Sequence, residues 1–199
     1  VLLQEELERT ITVIQKIRQT SPDTLISIDT YKSEVAIQAI EAGANMINDI
    51  SGLTMDKTMP NIAADLGVPI VIMHMQGTPA NMQVNPHYED LILDITSFFS
   101  DQIKLANTAG IKMERIILDP GIGFGKTIDH NFQLIQNLNE FCKLGYLILI
   151  GPSRKSFIGT TLDLPPEDRL EGTSAVVTAA IMNGARIVRV HDVKEIKRV

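Results

Sequence analysis

The sequence holds one cysteine, Cys142, so an internal disulfide is excluded and a reducing compartment is expected. That cysteine sits in Phe141-Cys142 on the apolar side of a helical pattern, where buried filler is the expected role. No apolar run is long enough to span a bilayer, so no membrane partner is expected. No signal peptide opens the chain, although residue 1 is Val1. Positive charge is in deficit: the net charge is −6, which argues against general binding of nucleic acid. What is present is a chain of 199 residues, 44% hydrophobic, enough for one globular domain with a substantial core.

The chain repeats one rhythm. A helical stripe over Leu3–Arg18 ends at Ser21-Pro22-Asp23. Strands are then expected at Leu25–Thr30, Ala44–Ser51, Val68–Met75, from Ile116, at Tyr146–Ser156 and at Ala185–Val193. Helices are expected at Ser33–Ala42, Met59–Leu66, Tyr88–Ala109, His130–Leu144 and Pro166–Asn183, each closed by a glycine. Gln76 to His87 reads as a long polar loop, and the chain ends in the start of another helix. The strands are apolar on both faces, as in a parallel sheet covered by helices. Six strands fit a doubly wound sheet in number. A partial (β/α)8 TIM barrel, about six of its eight strands present, is favoured instead. Five of the six apolar runs end on polar, hydrogen-bonding groups, and the sixth delivers Ser153, Arg154 and Lys155 just beyond it. In a barrel such ends converge on one mouth.

The stretch Ile116–Thr127, IILDPGIGFGKT, is the most informative. A buried strand stops on Asp119, and Pro120, Gly121, Gly123, Gly125 and Lys126 follow. It is not a P-loop, because Pro120 stands where the first glycine is needed. It is not a dinucleotide fingerprint, because Lys126 stands in place of the third. A carboxylate at the end of a buried strand is costly unless paired, so Asp119 needs a partner in the protein or in a ligand.

The strand ends offer two kinds of group. Asp29, Asn48 and Asp119 suit the edge of a flat heterocycle with adjacent N–H donors. Arg154, Lys155, Arg189 and His191 suit an anion. Alternation places Arg189 and His191 on one face of the last strand. Asp49, one residue beyond Asn48, is expected to be structural, and His74 to be a satisfied core histidine.

SIDT at Ser27–Thr30, IND at Ile47–Asp49, LDPGIGFGK at Leu118–Lys126, GPSRKS at Gly151–Ser156 and RVHDV at Arg189–Val193 closely resemble dihydropteroate synthase, in that family's order and spacing. The resemblance implies a transferase of folate biosynthesis on a TIM barrel and a sulfonamide target. In that family the amine of 4-aminobenzoate displaces pyrophosphate from 6-hydroxymethyl-7,8-dihydropterin pyrophosphate. It implies that Asp29, Asn48, Asp119 and Lys155 hold the pterin, with Met73 against the ring. Arg189 and His191 would bind pyrophosphate, and Phe124 and Ser156 would border the aminobenzoate. Lys155, Arg189 and His191 would be the catalytic set. It further implies a magnesium cofactor, a homodimer and a cytoplasmic location. The family's opening strands and loops, N-x-T-P-D-S-F and S-T-R-P-G, do not appear in this sequence, and the first carries the family's magnesium-binding asparagine. Residues 1–199 are therefore expected to be a single pterin-binding barrel domain truncated at both ends, without a metal ligand of its own. The alternatives are a pterin-binding protein like the methyltetrahydrofolate–corrinoid methyltransferases, or a fragment that binds pterin without turnover.

Overall fold

A computed structural model describes all residues, Val1–Val199. The chain forms two compact units: Val1–Met73 with Ser100–Ile117, and His74–Phe99 with Leu118–Val199.

In the first unit, helix α1 (Leu3–Thr20) leads to strand β1 (Ser27–Asp29), helix α2 (Ser33–Glu41), strand β2 (Met46–Asp49), helix α3 (Met59–Leu66) and strand β3 (Ile70–Met73). Strands β1, β2 and β3 pair in parallel. The register sets Asp29 opposite Asn48 and Asn48 opposite Val71. Every residue of β3 is buried, and Val35, Ala36, Ala39, Ile47, Met59 and Ala63 join that core. Helix α3 shows how the glycines close the helices. Gly67 takes a left-handed conformation at φ 63° and its N–H returns to the carbonyls of Ala63 and Ala64. That geometry favours a residue without Cβ.

Helix α4 (Leu91–Ala109) starts in the second unit and ends in the first, and strand β4 (Ile116–Asp119) runs the other way between them. The second unit continues with α5 (Ile128–Gln136), α6 (Leu138–Cys142), β5 (Leu147–Ile150), α7 (Ser156–Leu162), α8 (Leu170–Met182), β6 (Ile187–Val188) and α9 (Val193–Ile196). Its strand order is β4-β5-β6, with Leu149 beside Ile187 and Ile150 beside Val188. Phe99 and Phe141 are fully buried and meet edge to face at 5.8 Å. Such pairs add to what their buried area contributes.

Three sequence expectations change. The helix expected over His130–Leu144 is two helices, because Asn137 leaves helical geometry and its amide donates to the carbonyl of Gln133. The stretch from Pro166 begins as a 3-10 turn, Pro166–Asp168, and the α-helix starts at Leu170. The last strand is only Ile187–Val188, so Arg189 and His191 do not alternate along a strand. Arg189 still donates its N–H to the Ile150 carbonyl at 2.8 Å, while His191 lies in the following turn.

Helix α5 opens on a capping box. Thr127 Oγ1 accepts the His130 N–H at 3.1 Å, and His130 Nδ1 accepts the Thr127 N–H at 3.3 Å. Thr127→Ala is expected to cost about 1 kcal/mol of stability, read by urea unfolding. A change under about 0.3 kcal/mol would show the cap to be dispensable.

Candidate active site at the strand ends

Strand β4 ends on Asp119, and the chain then turns back through the glycine loop. Asp119 is buried, 7% exposed, and its Oδ1 accepts the Gly121 N–H at 2.8 Å. Burial pushes its carboxyl above the ordinary carboxylate range, while Lys155, the Gly121 N–H, Lys126 and Arg189 pull it back down. Burial dominates, and the three cations offset part of its cost to the carboxylate form. Against this acid stand the bonds that shape the loop. The Gly123 N–H reaches Asn131 Oδ1 at 2.6 Å, and the Phe124 N–H reaches the Gly121 carbonyl at 3.0 Å. Lys155 Nζ donates to the Ile122 carbonyl and lies 4.6 Å from the centre of the Phe124 ring. Burial brings the Lys155 ammonium down to about 8; Asp119 opposes that shift and Arg189 reinforces it. Asp119, Phe124, Lys155 and Arg189 thus share one neighbourhood.

His191 sits beside Ser153: its N–H donates to Ser153 Oγ at 3.2 Å, and its Nδ1 is 2.9 Å from the same oxygen. Ser156 is the first residue of α7 and is exposed. Arg154 departs from the expected anion set. It takes φ 58° and makes a two-pronged ion pair with Asp192, Nε to Oδ2 at 2.9 Å and Nη2 to Oδ1. This fork braces the turn after β6.

In the first unit, Asp29 and Asn48 lie side by side at the ends of β1 and β2, and Asn48 Nδ2 donates to Asp29 Oδ1. The other amide atom, Asn48 Oδ1, is buried without a protein partner. An orphaned buried acceptor is costly, and a ligand N–H would satisfy it. Met73 closes β3 and is buried. Asp49 is structural, as expected: it accepts from the N–H and hydroxyl of Ser51 and from the Leu53 N–H.

His74 is a neutral core histidine. Burial, reinforced by the Lys126 charge, drops it to about 3, and its ring meets Phe98 edge-on at 5.0 Å. Two features escaped the sequence reading. One is Lys126, quoted within the motif without a role. The other is the loop after β3, which grips the glycine loop from behind. There the Tyr88 hydroxyl donates to the Gly125 carbonyl at 2.8 Å and Gln83 Nε2 donates to the Gly123 carbonyl at 2.5 Å. Only the lysine's place at the end of a glycine run in an otherwise apolar stretch hinted at the first.

The second unit thus holds a buried carboxylate among cations at the end of a strand, and the first holds an acceptor pair at the ends of β1 and β2, each the kind of polar strand end at which α/β enzymes bind their ligands. The family model described as "Pterin binding enzyme" matches residues 1–191. The dihydropteroate synthase of Synechocystis is 51% identical over 200 residues, covering 100% of this chain and 69% of that protein. The Escherichia coli dihydropteroate synthase is 44% identical over 195 residues, covering 98% and 68%. Among solved structures, the Yersinia pestis dihydropteroate synthase in a sulfonamide complex matches with a TM-score of 0.96 at 43% identity, over 100% of this chain and 72% of that one. The Xanthomonas albilineans enzyme in complex with 7,8-dihydropteroate matches with a TM-score of 0.92 at 40% identity, over 100% and 72%. The chain belongs to the pterin-binding enzyme family, among its dihydropteroate synthases. Its fold class is α/β, with six strands of the TIM-barrel type.

Proposed function

We infer that this chain is a transferase that performs the dihydropteroate synthase reaction of folate biosynthesis. The 4-aminobenzoate nitrogen forms a bond to the hydroxymethyl carbon of the dihydropterin pyrophosphate. The carbon–oxygen bond to pyrophosphate breaks, pyrophosphate leaves with the electron pair, and the amine gives up a proton. The observation that carries the assignment of roles is Asp119, a carboxylate buried among three cations with Gly121 N–H as its hydrogen-bond donor. A carboxylate so held accepts two parallel N–H bonds from a pterin edge.

The remaining roles follow from the chemistry of each group. Asn48 Oδ1 accepts a further ring N–H, with Asp29 fixing the amide and Met73 against the ring. Lys155 lies between the pterin and Phe124, whose ring borders the aminobenzoate together with Ser156. Lys155, Arg189 and His191 stabilise charge growing on the departing pyrophosphate. Holding the amine near the electrophilic carbon supplies the rest of the acceleration, and no covalent nucleophile is required.

Magnesium dependence rests on the resemblance alone. No group of three or more His, Cys, Asp or Glu side chains is disposed to hold a metal ion. Magnesium usually binds through one or two protein oxygens together with substrate phosphates and water, so it needs no such cluster, and no step here is routed through it. A homodimer, a cytoplasmic location and action as one pterin-binding domain are further proposals. The single cysteine agrees with a reducing compartment, and no helix is long and apolar enough to cross a membrane.

The test is pyrophosphate release from dihydropterin pyrophosphate, measured with and without 4-aminobenzoate and with and without magnesium. Release that depends on aminobenzoate is expected. Pterin binding with no release in any combination would reduce the chain to a pterin binder.

A further inference from the structure

The glycine loop ends on Lys126, so far described only as one of the cations near Asp119 and given no contact with substrate. It is 4% exposed, an unusual setting for an ammonium. An ammonium has three N–H donors and no acceptor. Lys126 Nζ donates to the Phe124 carbonyl at 2.9 Å and lies 3.1 Å from His74 Nδ1. Burial keeps His74 neutral, and an ammonium can only donate, so facing a charged Lys126 the His74 Nδ1 is the acceptor and the ring proton belongs on Nε2. The side chain therefore ties the glycine loop, at Phe124, to the residue that follows β3. It also lies against Gly121: a Cβ there would stand 3.4 Å from Nζ. Gly121 is the residue whose N–H donates to Asp119.

The charged and titratable groups around this ammonium are Asp119, Lys155, His74 and His130. Those around Asp119 are Lys155, Lys126 and Arg189. Lys155 and Arg189 are already assigned to substrate. Lys126 differs because it is buried behind the loop, with backbone and imidazole as its hydrogen-bond partners.

We propose that Lys126 is a positioning residue for pterin recognition: its two bonds fix the glycine loop that presents the Gly121 N–H to Asp119, and its buried ammonium beside that loop favours the carboxylate form of Asp119. The proposal rests on the reading of Asp119 as the pterin acceptor. Burial brings Lys126 down to about 7, and Asp119 is the group that pushes it back up, so each of the two groups supports the charge of the other.

The sign of the effect follows. Without the Lys126 charge, the Asp119 carboxyl takes up its proton at a higher pH, and a protonated acid cannot accept two N–H bonds. Pterin binding is then lost earlier as pH falls. Lys126→Gln removes the charge and keeps amide donors near the Phe124 carbonyl and His74 Nδ1. With 6-hydroxymethylpterin as probe, titrated calorimetrically across pH, the variant is expected to bind roughly tenfold more weakly near neutrality. Its acid limb is expected to move up by about one pH unit. An acid limb coincident with that of the unmutated chain overturns the proposal, whatever the overall affinity, since a purely structural role weakens binding equally at every pH. If the unmutated chain itself binds no 6-hydroxymethylpterin, the pterin reading fails, and this proposal with it.

Should Lys126→Gln not fold, the coupling is read from the other side. The 15N signal of Lys126 Nζ is titrated in the unmutated chain and in Asp119→Asn. The ammonium is expected to lose its proton at lower pH in the variant. An unchanged titration overturns the proposal.

Discussion

Asp119→Asn should abolish useful pterin binding, with affinity falling about a hundredfold or more. The carboxylate accepts two charge-assisted hydrogen bonds in the proposed complex, and each is stronger than its neutral counterpart. An amide offers one acceptor and places an N–H where the second ring donor would arrive. The exchange is nearly isosteric, and Asn Oδ1 still meets the Gly121 N–H that Asp119 Oδ1 accepts at 2.8 Å. Stability should move the other way. Burial raises the Asp119 carboxyl in the folded chain, so the folded state holds this proton more tightly than the unfolded state does. The stability tied to Asp119 is therefore greatest in acid and declines as pH rises through the elevated folded value. At neutral pH the asparagine protein should melt at an equal or higher temperature than the parent. Calorimetric titration with 6-hydroxymethylpterin and a thermal melt read both effects. Affinity within threefold of the parent would remove Asp119 from the site.

Gly121→Ala should be among the most damaging single substitutions, at roughly 3–5 kcal/mol of stability. Gly121 takes φ 72°, and a Cβ there would stand 1.9 Å from the carbonyl oxygen of His74. The obstacle is backbone at the end of β3, not the tip of a flexible side chain. His74 is tied in turn, because its N–H donates to the Asp119 carbonyl at 2.9 Å. Relief of the clash would displace the carboxylate, so binding should fall along with stability. Gly151→Ala is the control, since the nearest atom to a Cβ there is 3.8 Å away and the backbone is unstrained. Urea unfolding of the two variants should separate them by several kcal/mol. Gly121→Ala within 1 kcal/mol of the parent would show that this loop yields far more readily than its bonds indicate.

Much of the architecture was legible in the residues. The β3 run Ile70–Met73 and the β4 run Ile116–Leu118 are apolar throughout and buried, so an unbroken apolar run in the sequence marks a strand covered on both faces. The glycine after α3 was legible because a left-handed helix stop selects for a missing Cβ. Where the reading erred, a distant partner decided. Ala185–Val193 has a strand's composition, yet only Ile187–Val188 belongs to a strand, because β5 itself ends at Ile150 and its last bond is to the Arg189 N–H. Arg154 has an anion binder's composition, yet Asp192, 38 residues away in sequence, engages its guanidinium.

The sequence by itself determined the order of helices and strands and the polar groups at the strand ends. These follow from periodicity and local backbone preference, which act over a few residues. The tertiary structure alone decided which of those groups are buried and which partners engage them. It buried Lys126 against His74, 52 residues distant in sequence, and ringed Asp119 with Lys126, Lys155 and Arg189. It also left Asn48 Oδ1 buried without a protein partner. The charge state of a buried group is set by desolvation and by the charges beside it, and both depend on contacts that local periodicity does not encode.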